Sequence, residues 1–93
     1  MLVIVKSAPG TPDGRRGIKL AIDMATNVVL IQNAVYFAQK DRLDDFSGVI
    51  YALDNDIRLR GLRDEELKKD IKKLDYDGLV ELMVEEDRVI GII

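Results

Sequence analysis

An α/β fold on a mostly parallel sheet of four to five strands, with helices on both faces, is what the sequence predicts. Three observations carry it. Leu2-Val3-Ile4-Val5, Val28-Val29-Leu30-Ile31, Val49-Ile50-Tyr51-Ala52-Leu53 and Val89-Ile90-Gly91-Ile92-Ile93 are runs of consecutive apolar residues, rich in β-branched side chains and too short for helices. Strands covered on both faces read this way, and parallel sheets require such cover. Segments of helical pattern separate the runs, and strand-helix alternation implies right-handed crossovers over a parallel sheet. The 93 residues, 47% of them hydrophobic and 33% charged, suit one globular domain, residues 1–93, with one core.

The elements follow in order. After the first strand, Thr11-Pro12-Asp13 supplies an N-cap, a proline at the first helical position and an acid in the first turn. That helix is expected to run to about Ala25, with Gly14 and Gly17 weakening its start. After the third strand, Asp54 is placed to cap a short helix ending near Arg60. Gly61 then takes the left-handed position and Leu62 packs back on Ile57. Asp64-Glu65-Glu66 through Lys69 reads as a further helical turn or two, and Ile71 to Leu74 as a weaker strand. Asp75 is placed to cap the last helix, where Tyr76, Leu79, Val80 and Met83 share a face and Asp77, Glu81 and Glu85 lie away from it.

One segment does not fit an outer helical layer. Asn33-Ala34-Val35-Tyr36-Phe37-Ala38-Gln39 reads as a short helix capped by Asn33, yet its five central residues are apolar or aromatic. A helix that is apolar all round must be buried. Either its outer side meets another chain, with Asn33, Val35, Tyr36 and Phe37 at the interface and the two rings as anchors, or the loop from Lys40 to Gly48 covers it within the monomer.

The chemistry open to the chain is narrow. It has no cysteine and no histidine. It therefore has no thiolate nucleophile, persulfide carrier, disulfide or thiolate-held metal, and it lacks the usual general base near neutral pH. No catalytic residue, cofactor site or metal site is expected. A net charge of −3 gives no general attraction to nucleic acid or anionic membrane. No apolar run approaches the roughly 18 residues a spanning helix needs, and no secretory leader pattern opens the chain, so the expected location is cytoplasmic.

Ligands of open α/β sheets bind beyond the carboxyl ends of the strands. Those ends carry Ser7, Asn33, Asp54 and Tyr76, which make a candidate edge for a small ligand or a partner; Asn33 and Asp54 serve equally as helix caps. The loop Ala8 to Gly14 is rich in glycine and proline but matches no phosphate-binding pattern, and Asp13 would repel an anion there. Arg58, Arg60, Arg63, Lys68, Lys69, Lys72 and Lys73 make one segment basic, but acids interrupt it and no aromatics interleave, so it reads as a solvated face. The alternative is a rim that steers an acidic partner, such as the acidic last helix (Asp75, Asp77, Glu81, Glu85, Glu86, Asp87) of a second copy.

Certain residues in sequence carry a family resemblance. They are Lys6-Ser7 after the first strand, Leu30-Ile31-Gln32-Asn33-Ala34-Val35, and Val49-Ile50-Tyr51-Ala52-Leu53 with Asp56 and Arg60-Gly61-Leu62. Leu74-Asp75-Tyr76 with Leu79-Val80-Glu81-Leu82 completes the set. In that order they resemble the DsrH/TusB branch of the DsrE/DsrF/DsrH sulfur-relay family, from Met1 to about Val84. The resemblance implies a three-layer DsrE-like fold and assembly with DsrE- and DsrF-like (TusD- and TusC-like) subunits. It also implies a place in persulfide transfer toward tRNA 2-thiouridine or sulfur metabolism. The transferring cysteine of such assemblies lies on the TusD-type subunit, and no sulfur-carrying position maps onto this cysteine-free chain. The expected function is that of a non-catalytic structural subunit acting through oligomer assembly. The alternative is a small-ligand-binding or regulatory homo-oligomer of the same fold.

Overall fold

In the computed structural model, which describes residues 1–93, each apolar run forms a strand: β1 (Leu2–Val5), β2 (Asn27–Leu30), β3 (Ile50–Leu53) and β5 (Val89–Ile90). The weaker candidate forms β4 (Lys72–Leu74). All pairings are parallel, in the order β4-β3-β2-β1-β5. The central strands β1 and β2 are paired from Leu2 opposite Asn27 to Val5 opposite Leu30. Their runs are apolar on both sides because both faces of the sheet are covered.

The connections fix the layers. Helix α1 (Pro12–Asp23), a 3₁₀ helix (Gln32–Ala38) and α2 (Asp54–Leu59) pack on one face. Their Ile18, Ala21, Val35, Phe37 and Ile57 meet Val3, Val5, Val28, Leu30, Ile50 and Ala52 from the sheet. Helix α3 (Tyr76–Glu85) alone crosses the opposite face, where Leu79 and Leu82 pack on Leu2, Ile4 and Val29. The Met1 amino group donates to Glu86 at 2.9 Å and Asp87 at 3.2 Å, tying the end of this crossover to the start of β1. No helix is long and apolar enough to cross a membrane.

Local signals act as the residues require. The Thr11 hydroxyl accepts from the Gly14 N–H at 3.0 Å, and Pro12 opens α1. The Asp75 carboxylate accepts from the Gly78 N–H at 2.7 Å. After α2, Gly61 has φ +66°, the Leu62 N–H donates to the Ile57 carbonyl at 3.2 Å and the Gly61 N–H to Arg58 at 3.1 Å. Those paired bonds make a Schellman ending, with Leu62 packed on the core.

Three expectations need correction. Asn33 does not cap its segment: the turn starts one residue earlier, as a 3₁₀ rather than an α-helix, with Ile31 before it and no side-chain cap. Asp54 is the first residue inside α2, not its cap, and pairs with Arg58 at 2.8 Å. Val35 and Phe37 are not on an outer surface. Val35 is fully buried and Phe37 is 7% exposed, within the chain's own core. Leu43 and Phe46, from the loop after Gln39, and Leu67 are buried in the same cluster. Backbone bonds tie the segment around Gln39 to that around Leu67: the Lys40 N–H donates to Glu66 and the Lys68 N–H to Ala38, around a bridge between Gln39 and Leu67.

Candidate functional site

The topology decides where a site opens. The crossovers leaving β1, β2 and β3 all pass over one face, and only that leaving β4 passes over the other. Chains therefore diverge between the neighbouring strands β3 and β4, the arrangement that opens a crevice in α/β sheets. A concavity of about 360 Å³ lies there, lined by Asn55, Arg58 and Leu59 from α2 and Tyr76 from α3. Asp54 is adjacent through its ion pair with Arg58.

A second cleft, about 440 Å³, lies beyond the ends of β1 and β2, where Lys6, Ser7, Thr11, Asp13, Gln32 and Asn33 meet. The Ala34 N–H donates to the Lys6 carbonyl at 3.1 Å, which fastens the 3₁₀ helix to the end of β1. Gln32 stands at φ +50°, and its N–H donates to Asp56 Oδ2 at 2.7 Å. Arg60 links the same group: Nη1 lies 3.4 Å from Asp56 Oδ1, and Nε donates to Asn33 Oδ1 at 3.1 Å. Asn33 thus serves as acceptor for a neighbouring element instead of capping its own.

The expected edge of Ser7, Asn33, Asp54 and Tyr76 is accordingly two sites. Ser7 and Asn33 share the second cleft; Tyr76 lines the crevice between β3 and β4, with Asp54 beside it through Arg58. Of the four expected interface residues, Asn33 is exposed and Tyr36 partly exposed, whereas Val35 and Phe37 lie inside.

The basic segment borders a third concavity of about 270 Å³, with Lys40, Lys68, Lys69 and Lys73 beside Asp64 and Glu65. Much of its charge is paired. Lys73 binds Asp64, and Lys68 meets Asp70 at 2.7 Å. Hydrogen bonds from these ammonium groups hold both carboxyls below their ordinary range. No group of three or more potential metal-ligating acids is assembled anywhere in the chain.

The largest group of uncovered apolar side chains is on α3, not on the segment around Phe37. Tyr76 is 56% exposed, Val80 58% and Val84 79%, and Met83 is exposed as well. Of the face expected to point inward, only Leu79 does so, joined by Leu82. Spacing alone hid this, because apolar residues cover a broad arc of the helix and two of them suffice to seat it on the sheet.

Residues 16–89 match the family described as DsrH like protein. The chain belongs to the DsrH-like family. Membership of that family supports a role related to sulfur relay. The fold is similar to the crystal structure of ychN protein from E. coli, with a TM-score of 0.80, 17% identity and 96% of each chain covered. It is also similar to the solution NMR structure of protein Tm0979 from Thermotoga maritima. There the TM-score is 0.68 and the identity 26%, over 98% of this chain and 100% of that one. No curated protein matches. The DsrH-like assignment bears out the resemblance drawn from the strand ends and the Arg60-Gly61-Leu62 turn.

Proposed function

We propose that this DsrH-like chain is a non-catalytic structural subunit of a DsrE/DsrF/DsrH-type sulfur-relay complex in the cytoplasm. In this reading it acts by assembling with DsrE- and DsrF-like subunits whose persulfide passes toward tRNA thiolation or sulfur metabolism. One observation carries the reading: a DsrH-like chain without cysteine or histidine leaves sulfur handling to its neighbours. The open α3 surface supports it, since apolar rows left in water mark contact sites. The test is co-expression with the DsrE- and DsrF-like subunits of the same genome. A stable assembly by size exclusion with light scattering is expected, and a strict monomer that captures neither subunit overturns the reading.

A second reading is favoured by the cleft that Lys6, Ser7, Gln32 and Asn33 line together. There the chain is a small-ligand-binding or regulatory homo-oligomer. A ligand of the folded state raises the melting temperature by mass action, so a panel of nucleotides and inorganic anions tests it. An unchanged melting temperature across the panel sets this reading aside.

A further inference from the structure

The third helix identifies the docking surface and the chemistry of what docks, an inference that rests on the subunit reading above. One ten-residue helix covers the second face of a five-stranded sheet, and none of its residues is buried. Leu79 and Leu82 hold it to the sheet. Tyr76, Val80, Met83 and Val84 stand at i, i+4, i+7 and i+8, which places them along one side of the helix. Leu59 of α2, 79% exposed, lines the crevice that Tyr76 borders at the start of α3. Single exposed apolar residues are ordinary, but a continuous row marks a contact surface.

The flank of this row decides its occupant. Asp77, Glu81 and Glu85, at i, i+4 and i+8, run along the adjoining side and are all exposed. None of the three takes part in an ion pair. No lysine or arginine occurs from Tyr76 to Glu85, and the carboxyl end of the helix adds its own negative field. A second copy is a poor complement, since its own basic segment is largely spent on internal pairs of Arg58, Arg60, Arg63, Lys68 and Lys73, and row against row fares no better. Antiparallel pairing of the two rows sets acid against acid about the two-fold axis, and parallel pairing aligns the two helix dipoles. A surface that is apolar at its centre and basic at its rim answers both features.

We propose that the α3 row with Leu59 docks an apolar patch rimmed by lysine and arginine on a DsrE- or DsrF-like subunit, rather than a second copy of this chain.

The experiment measures affinity between the fluorescently labelled chain and the co-purified DsrE- and DsrF-like subunits of the same genome, at low and high salt. The double variant Glu81→Lys/Glu85→Lys is expected to weaken binding about tenfold or more and to remove most of the salt dependence. It leaves Leu79 and Leu82 in place, and a cation in the last helical turn suits the dipole, so the fold is kept. Val80→Lys/Val84→Lys is expected to abolish binding with an unchanged circular dichroism melt. A complex indifferent to both variants overturns this inference while the subunit reading stands. Absence of any complex with the unaltered chain overturns both. A dimer of the chain alone that Val80→Lys/Val84→Lys dissolves also overturns it, assigning the row to self-association.

Discussion

Gln32 holds its backbone at φ +50°, where a residue with a side chain sacrifices about 1 kcal/mol or more relative to the right-handed region. Asp56 offsets this. Its carboxylate, nearly closed off from solvent, accepts the Gln32 N–H at 2.7 Å and faces Arg60 at 3.4 Å, so one side chain joins the end of β2 to α2. Asp56→Ala leaves that N–H without its acceptor and takes the carboxylate from Arg60, which keeps only the Asn33 amide oxygen and the backbone carbonyl of residue 56. The expected loss is about 2–3 kcal/mol in urea unfolding, and Asp56→Asn, which keeps an acceptor oxygen, should lose less. None of this was legible in the sequence. A three-residue link between distant positions has no periodicity, and Asn33 carried the stronger local signal as a cap. The caps at Thr11 and Asp75 were legible because their chemistry is complete within four residues.

At the scale of elements, glycine in the first turn of α1 looked like a weakness, and the structure gives it a use. A Cβ on Gly14 would stand 2.1 Å from the Ala8 carbonyl oxygen, so the helix starts against its own preceding loop. Gly14→Ala, which raises helix propensity, is therefore expected to destabilise by about 2–4 kcal/mol, read as a lower urea midpoint at unchanged slope. The 3₁₀ helix shows the same limit of local reasoning. Its all-round apolar character required burial without deciding between a partner and the chain's own loop. The structure buries Val35 and Phe37 in one cluster with Leu43 and Phe46, two apolar residues in a loop that otherwise reads as polar. In α3 the reverse happened. Its outward residues were expected to be inward, because one helix on an open sheet needs fewer contacts than its apolar residues could supply.

Across the whole molecule, charge is unevenly spread: residues 58–73 carry seven of the fourteen lysines and arginines with four acids among them, whereas α3 carries three acids and no base. Asp64 with Lys73 and Asp70 with Lys68 restrain the basic edge beside β4. Both carboxyls are depressed below their ordinary range, so the folded state binds fewer protons there than the unfolded chain. Their contribution is fully present above the ordinary carboxylate value of about 4 and disappears as pH falls through the lower folded values. The thermal midpoint should hold between about pH 5 and 7 and decline below about pH 4, with Asp64→Asn making the decline shallower. Both sites are exposed, so the change is small. The order of the strands was legible only in part: alternation implied parallel crossovers, but nothing local revealed that β5 returns to the far side of β1. That return has a consequence during synthesis. Leu2 pairs with Val89, so one margin of β1 stays unzipped until β2, β3, β4 and the helices between them have left the ribosome and β5 follows. Until then Leu2-Val3-Ile4-Val5 is a sticky template for neighbouring nascent chains, and the closing strand is what retires that hazard.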